Sequence, residues 1–531
     1  MKTFPFFALS AGAALGLTGC GASSSGLTTS GFGTNQSIAV PTMEPHARKV
    51  STGAGTSAAP AVIPPVLDDY IAKVDPSYKW EITARPDNKT GAGVYEMQLT
   101  SQTWHETRWT HHVQIFRPEK IEFPGKALLS VSYGHGTVQE TFYGQIVANA
   151  TGAYFVNVFD VPNQPLFDAR EDGLIALTFD KAIKNNDPTW PLLLPMTKSA
   201  VQAMNAVGEF SKKELGTPLD KFAVTGASKR GWTTYLVGAA EAKAHPGRVI
   251  GIAPFVYDNL NIPAQLQHQH ATWGEYSPKI VDYTQRDLPQ KMISADGQKL
   301  VSVVDPYTYR ERLAMPKLLV DATNDEYWNL DGYDFFGQDL PGQTVRYEAP
   351  NVGHIMRGQE ARAAGTMGQW FRLIAAGQPV PALTMSVNAQ KQVSLQVKGA
   401  PATAKLRFWT ASSPTRDFRK AEWKAVPATA STVNGALTAL SPLPTATTSQ
   451  PCVAIFGEVE VPGQPLPLVL STPVQVFGPK PKEATTKTLQ APKGAAKQQQ
   501  ITVSVPPVTD LQTGAPQGDT VQAAAPRTDA P

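Results

Sequence analysis

The amino-acid sequence predicts an α/β fold followed by a small β-sandwich domain. Residues 66–378 alternate apolar strand patterns with helix patterns, which is typical of a mostly parallel sheet covered on both faces. Residues 379–477 change to short alternating runs with turn residues at close spacing, and this pattern favours a sandwich of two β-sheets. A third observation is a serine at a glycine-rich turn between a strand and a helix. It indicates which kind of α/β fold the first domain adopts.

This serine lies in the segment Lys221–Trp232, which predicts a short strand, a tight turn and the start of a helix. A serine at such an elbow needs small neighbours, because the backbone there is strained. Gly226 and Ala227 precede Ser228, and Gly231 allows the following helix to pack closely on the strand. Taken alone, the pattern G-x-S-x-x-G favours a serine in an ordinary strand-to-helix loop. Residues further along the chain therefore decide whether Ser228 is catalytic.

Two residues downstream of Ser228 supply the partners that a catalytic serine needs. In the α/β-hydrolase fold the chain order is Ser, then Asp or Glu after a late strand, then His after the last strand. Asp325 lies just past the strand pattern 315–322, and His354 lies past the next strand pattern. Of the nine histidines, His354 alone follows Asp325. The order therefore predicts a Ser228–Asp325–His354 triad, with the adjacent Glu326 as the alternative acid.

Backbone N–H groups that stabilise an oxyanion are expected at two places. The residue after the nucleophile, Lys229, donates one N–H at the start of its helix. The loop 133–137 follows an early strand pattern, and Gly134 there lets the backbone approach a reacting carbonyl. His135 of this loop is expected to be structural or pocket-lining, since it precedes Ser228 in a fold whose base follows the nucleophile.

Seven segments, the elbow among them, occur in an order that resembles a known family. They are Ser101–Trp104, Val161–Leu166, Glu171–Ala176, Pro195–Ala200, Gly226–Gly231, Tyr257–Asn261 and Arg416–Arg419. Together they look like the PhoPQ-activated pathogenicity-related family, which includes autocrine proliferation repressor-like proteins. The resemblance spans roughly residues 67–477. It implies an α/β-hydrolase domain with a C-terminal β domain, and natural substrates that are poorly defined.

The function expected from the triad and the resemblance is hydrolysis of an acyl bond, either peptide or ester, through an acyl-enzyme. Such chemistry requires no metal and no organic cofactor, and its partner is a small-molecule or peptide substrate. One rival is a catalytically idle member of the fold that binds or signals. Another is a carboxylic ester hydrolase similar to the glucuronoyl esterases, whose elbow resembles G-x-S-R-x-G.

Two cations, Lys229 and Arg230, stand beside the nucleophile at the helix start. Positive charge there opposes the helix dipole by roughly 0.3–1 kcal/mol, so each side chain should have a further task. One expectation is that Arg230 pairs with a buried carboxylate, Asp172 or Asp258. The other is that Lys229 faces the pocket and binds an anionic group of the substrate.

A long insertion, residues 258–315, separates two predicted strands of the hydrolase domain. Its aromatic residues, Trp273, Tyr276 and Tyr283, favour a cap over the site, and a packed helical excursion without a pocket role is the alternative. No metal site is expected, because the neighbouring His111 and His112 point to opposite sides of their strand.

The N-terminus predicts export and lipid anchoring. Residues 1–20 resemble a lipoprotein signal peptide that ends in Leu17–Cys20, so Cys20 is the expected lipidation site. Ordinary signal cleavage near Ala22 is the alternative. The predicted location is the bacterial cell envelope, with the protein held to the membrane by lipid at its periplasmic or extracellular face.

Composition completes the expected organisation of the chain. Residues 21–65 are rich in small and polar residues and predict a flexible linker, and residues 478–531 predict a disordered tail. The net charge is +3, and no basic block is interleaved with aromatic residues. Nucleic acid is therefore not expected as a partner.

Overall fold

The computed structural model describes residues 63–88 and 90–480 of the chain. The expected signal peptide with Cys20, nearly all of the linker and nearly all of the tail lie outside these residues. The helices are α1 (Val66–Ala72), α2 (Val138–Thr151), α3 (Glu171–Asn185), α4 (Leu193–Phe210), α5 (Lys229–Ala244), α6 (Ile262–Trp273), α7 (Val281–Thr284), α8 (Leu288–Ile293), α9 (Gln298–Val304) and α10 (Glu360–Ala375).

The strands fall into a run before α10 and a run after it. The first run comprises β1 (Lys79–Ala84), β2 (Gly93–Trp104), β3 (Thr107–Arg117), β4 (Lys126–Val131), β5 (Tyr154–Val158), β6 (Lys221–Ala227), β7 (Val249–Phe255), β8 (Lys317–Ala322) and β9 (Thr344–Ala349). The second comprises β10 (Ala382–Val387), β11 (Gln392–Lys398), β12 (Lys405–Ser413), β13 (Lys424–Ala428), β14 (Ser431–Val433), β15 (Ala436–Pro442), β16 (Cys452–Val461), β17 (Leu468–Ser471) and β18 (Gln475–Phe477).

The nine strands of the first run lie side by side in the order β1-β2-β3-β5-β4-β6-β7-β8-β9. From β5 to β9 the neighbours are parallel, while β1, β2 and β3 form an antiparallel edge. The parallel strands are apolar along nearly their whole length, as strands covered on both faces must be. This is the predicted α/β-hydrolase fold.

Helices cover the two faces of this sheet with separate apolar cores. Helices α4 and α5 pack against each other on one face, where the core includes Phe179, Met204 and Leu236. Helices α2 and α10 pack together on the other face, where the core includes Phe116 and Trp370. Helix α5 is buried from Lys229 to Glu241 and follows β6 after a single residue, so the sheet and its helical layer fix the position of that residue.

The C-terminal strands form the predicted β-sandwich. Strands β10, β11, β15 and β14 make one sheet, and β17, β16, β12 and β13 make its partner, with the Leu395 side chain packed where Gly457 has no side chain. The partner sheet continues the central sheet, because Ser471 of β17 pairs with Arg346 of β9. The sequence did not indicate this continuity, since a pairing across more than a hundred residues leaves no local pattern.

The segment between β7 and β8 is helical and holds α6 to α9. It is tied to the main helical layer by the indole N–H of Trp232 in α5, which donates to the carbonyl of Val304 at 2.6 Å. Within residues 63–88 and 90–480, none of the helices combines the length and apolar composition that a membrane span needs. The same residues contain no cluster of three metal-ligating side chains.

Candidate active site

Ser228 occupies a strained turn between β6 and α5. Its backbone has φ 57° and ψ −123°, a conformation that residues other than glycine rarely adopt and that costs on the order of 1–3 kcal/mol. Its N–H donates to the carbonyl of Phe255 at the end of β7, at 2.9 Å. The strain is held in place by the sheet, and it presents the side chain at the carboxyl edge of the strands.

The glycines on either side of this turn are steric requirements. A Cβ atom at Gly226 would lie 2.6 Å from the carbonyl oxygen of Arg230, and one at Gly231 would lie 2.8 Å from that of Phe255. Both distances are far below van der Waals contact, so neither position admits a side chain. The spacing G-x-S-x-x-G therefore follows from the close crossing of β6, β7 and α5.

Three residues predicted from chain order meet at this edge of the sheet. The Nε2 atom of His354 lies 2.8 Å from the Oγ of Ser228, and its Nδ1 lies 2.7 Å from the Oδ2 of Asp325. They follow β6, β8 and β9, and parallel strands bring their carboxyl ends to one side. A Nδ1–H donated to the carboxylate leaves the Nε2 lone pair facing the serine hydroxyl.

Asp325 and Glu326 contact different parts of His354. Asp325 is buried, meets the ring, and also accepts the N–H of Tyr327 at 2.7 Å. Glu326 accepts the backbone N–H of His354 at 2.9 Å, and a Cβ atom at Gly353 would lie 2.7 Å from the Glu326 carboxylate. Of the two carboxylates, the structure gives Asp325 the contact that orients an imidazole and gives Glu326 the contact that holds the loop.

The predicted oxyanion donors belong to the helix that follows Ser228 and to the loop that follows β4, the strand next to β6. The Lys229 N–H belongs to the first turn of α5, where backbone donors have no acceptor within the helix. The other loop carries Gly134 with φ +73°, and its carbonyl accepts the N–H of Asp160. The His135 side chain is 76% exposed and contacts the same aspartate at 2.7 Å. The oxyanion role of this loop stays a prediction.

The two cations after Ser228 are both paired with carboxylates of α3. The Arg230 guanidinium makes two bonds to Glu171, at 2.7 and 2.8 Å. The expected partners Asp172 and Asp258 are wrong for Arg230, because Glu171 begins α3 beside the guanidinium, and Asp258 faces Arg346 at 3.3 Å.

Lys229 joins the same cluster. Its Nζ atom lies 3.2 Å from Glu171 and 3.1 Å from Asp172. Burial opposes ionisation of Glu171, but the charges of Arg230 and Lys229 outweigh it and hold the pKa of this carboxyl well below its ordinary value. The cluster of two cations and two carboxylates has no net charge.

A mainly apolar cavity opens beside Ser228, and its empty space, including the solvent at its mouth, is about 590 Å³. The segment 258–315, expected as a cap, supplies a large share of its wall from helices α6, α7 and α8 and from residues just before α6 and α7. The wall residues of this segment are Asn259, Ile262, Leu266, Ile280, Tyr283, Leu288, Pro289 and Met292. Residues of the insertion therefore border the pocket, and its role as a cap stays a prediction.

Loops of the β-sandwich hold the loops that carry Asp325 and His354. The Asn324 amide donates to the carbonyl of Ala421 at 2.7 Å and reaches the carbonyls of Phe418 and Arg419. The Asn351 side chain exchanges two bonds with the backbone of Trp423, at 2.8 and 2.7 Å. The sandwich is thus part of the support of the site.

A second serine–histidine contact lies in the core, away from solvent. The Ser101 Oγ lies 2.9 Å from Nε2 of His111 and 3.2 Å from the Oγ of Ser199, and His111 Nδ1 faces the carbonyl of Phe159. Burial lowers the pKa of His111 to about 4, so this ring is neutral at physiological pH. His111 is fully buried, and this contact serves packing and hydrogen bonding.

Comparison with known proteins identifies the family. A family model described as PhoPQ-activated pathogenicity-related protein matches residues 67–419. The chain belongs to this family. Autocrine proliferation repressor protein A of Dictyostelium discoideum is 32% identical over 384 residues, which cover 66% of this chain and 76% of that protein.

Solved structures similar to this family member include two acetyl xylan esterases. The enzyme from Paenibacillus sp. R4 is 14% identical, with a TM-score of 0.41, over 58% of this chain and 92% of its own. Acetyl xylan esterase 1 from Thermoanaerobacterium sp. JW/SL YS485 is 15% identical, with a TM-score of 0.40, over 58% of this chain and 94% of its own.

In this PhoPQ-related protein, the residues that support the site by binding other side chains and loops could not be identified from the sequence. Glu171, Asn324 and Asn351 each bind a group far away in the chain. A signal was present for two of these contacts: Glu171 opens one of the seven family segments, and the Arg416–Arg419 segment supplies acceptors to Asn324. Neither segment carries a chemical pattern that names its partner.

Proposed function

We propose that this protein is a serine hydrolase that cleaves a carboxylic acyl bond, ester or amide, through a covalent acyl-enzyme. The observation that carries the proposal is the continuous hydrogen-bonded chain from the Ser228 hydroxyl through His354 to Asp325. The strained backbone of Ser228 is a second support, because such strain is typically stored where it serves function.

In the proposed first half-reaction, the Ser228 Oγ attacks the acyl carbon while Nε2 of His354 takes the hydroxyl proton. Asp325 holds the ring and stabilises the imidazolium. The Lys229 N–H, with an N–H of the Gly134–His135 loop, stabilises the oxyanion. The bond to the leaving group then breaks, and the imidazolium gives its proton to the departing oxygen or nitrogen.

The second half-reaction repeats these steps with water. His354 takes a proton from the water, whose oxygen bonds to the acyl carbon of the acyl-Ser228 ester. The ester bond breaks, and Ser228 regains a proton from the imidazolium. The net change is one water consumed, with release of a carboxylic acid and an alcohol or amine.

In the alternative similar to the glucuronoyl esterases, Lys229 would bind an anionic group of the substrate. The contacts of Lys229 with Glu171 and Asp172 speak against it, because two carboxylates already neutralise this cation. A neutral acyl substrate fits the site better. The second alternative is a binding protein of the same fold without catalytic activity, and the assay below distinguishes it from a hydrolase.

Turnover of p-nitrophenyl acetate by purified protein tests the proposal. Ser228→Ala and His354→Ala should each lower kcat by several orders of magnitude, and the double variant should be hardly worse, because the residues act as one unit. His245→Ala, at the exposed end of α5, is the matched control and should keep wild-type turnover. Losses that add, or turnover that survives in Ser228→Ala, would contradict the assignment.

We further propose that Cys20 carries a lipid that holds the protein to a membrane of the bacterial cell envelope, on its periplasmic or extracellular face. The support is the signal-like sequence that ends at this residue. Cys20→Ser should move the protein out of the detergent-extracted membrane fraction. An unchanged distribution in cell fractionation would overturn this part of the proposal.

A further inference from the structure

The cavity beside Ser228 has walls suited to one kind of chemical group. Trp232 and Tyr257 are stacked in its wall with ring centroids 5.0 Å apart, and Trp328 meets the Tyr257 ring edge-on at 5.7 Å. Phe179 and Tyr283 close the neighbouring side, also edge-on to each other. Aromatic walls of this kind bind apolar groups by burial and bind aromatic rings by edge and face contacts as well.

The position of the cavity decides which half of the substrate it can hold. Among the described residues, those that line it include Ser228 but not His354. Tyr327 both lines the cavity and packs against His354, with its ring centroid 4.2 Å from that of the imidazole. A leaving group must take its proton from Nε2 of His354 and so must lie on the histidine side. The group in the cavity therefore belongs to the acyl half.

Charge decides whether that group is ionic or neutral. Lys229 and Asp172 both border the cavity, and their charged atoms lie 3.1 Å apart. The Tyr283 hydroxyl donates to the same aspartate at 3.2 Å. These groups satisfy one another, so an ionic acyl group would have to break an existing pair, whereas a neutral group would not.

We infer that the cavity is the acyl pocket and that it selects esters or amides of neutral carboxylic acids bearing an aromatic ring. This inference rests on the proposed function, because it assigns the two halves of a substrate around Ser228 and His354. A 3-phenylpropanoyl group belongs to this class, since a neutral two-carbon chain joins its acyl carbon to an aromatic ring, and it serves as the probe.

Two esters with the same leaving group test the inference. Wild-type protein should hydrolyse p-nitrophenyl 3-phenylpropanoate with a kcat/KM at least about tenfold above that for p-nitrophenyl acetate, since each methylene-sized group in an apolar pocket is worth about 10-fold or more. Met292, buried at 3% exposure in α8, lines the pocket, and Met292→Trp should fill it and bring the ratio of the two constants towards one.

Val281→Trp is the matched control, because Val281 lies in the same cap with 43% of its surface exposed and does not border the cavity. It should keep the wild-type ratio. If circular dichroism shows that Met292→Trp fails to fold, Leu266→Phe takes its place, because Leu266 of α6 also lines the pocket, and the same fall in the ratio is expected.

The outcomes separate this inference from the proposed function. Hydrolysis of both esters with equal kcat/KM, or a preference that survives the pocket-filling variant, would overturn the acyl pocket while leaving the serine hydrolase standing. Failure of wild-type protein to hydrolyse either ester, together with no covalent labelling by a fluorophosphonate, would instead remove the proposed function and the inference with it.

Discussion

Replacing Glu171 with Gln should destabilise the fold by removing the charge that two buried cations share. Arg230 and Lys229 are 4% and 9% exposed, and Glu171 contacts both. Glutamine keeps the size of the side chain, but its amide group cannot accept a two-bond contact from a guanidinium. The variant therefore leaves the Arg230 charge buried with its main partner gone.

The magnitude follows from burial. Removing one partner of a fully buried ion pair costs about 3–5 kcal/mol. The Glu171 side chain keeps 37% exposure, so water can solvate part of the orphaned charge, and we expect a loss of about 2–3 kcal/mol in the free energy of unfolding. Urea unfolding followed by tryptophan fluorescence measures it, because Trp232 lies one turn from this cluster in α5.

Glu214→Gln is the matched control, since Glu214 makes a similar two-bond contact with Arg85 at the surface. The Arg85 side chain is 53% exposed, so water replaces the lost partner. The urea concentration at the midpoint of unfolding should therefore shift far less than for Glu171→Gln. Equal effects of the two substitutions, or none at Glu171, would refute the reasoning.

The effect should also depend on pH with a definite sign. The pKa of Glu171 is lower in the folded protein than in the unfolded chain. The ionised carboxylate therefore stabilises the fold fully above the ordinary carboxyl pKa of about 4.3, and this stabilisation is lost as pH falls through the pKa of the folded state. The difference in the free energy of unfolding between wild type and Glu171→Gln should stay constant near neutral pH. It should disappear only below about pH 4. A difference that widens as pH falls would contradict the assigned charges.

Three further substitutions test how the base is held. Asp325→Asn should lower kcat by several orders of magnitude, because it favours the wrong imidazole tautomer. Hydrolysis of p-nitrophenyl acetate measures this loss. If Glu326→Gln is the damaging change and Asp325→Asn is mild, the acid has been misassigned. Asn351→Gly keeps the left-handed backbone of this residue but removes both bonds to Trp423, so kcat should fall about 10- to 100-fold as the loop of His354 shifts, with unchanged far-ultraviolet circular dichroism. Wild-type kcat in this variant would mean that the sandwich does not position the site.

The sequence predicts well what depends on chain order and local pattern. Ser228 could be placed because a strand, two glycines and a helix start occur within twelve residues. Asp325 and His354 could be placed because each directly follows a strand, and parallel strands deliver their carboxyl ends to one edge. The positions of these three residues depend on local pattern and strand order, and not on how distant segments pack.

Contacts between distant segments could not be predicted from the sequence. Arg230 was assigned Asp172 or Asp258, yet its partner is Glu171, 59 residues away and adjacent to one candidate. A buried guanidinium requires some carboxylate, but its choice between neighbours depends on how α3 packs beside α5. The bonds from Asn351 to Trp423, across 72 residues, are of the same kind.

Covalent labelling of Ser228 by a fluorophosphonate tests the central claim most directly. The wild-type protein should gain the mass of one adduct, mapped by peptide mass spectrometry to the peptide containing Ser228. Ser228→Ala should not be labelled, and His354→Ala should be labelled far more slowly because the hydroxyl loses its base. Folded wild-type protein that stays unlabelled, or that is labelled as fast after loss of His354, would contradict the account.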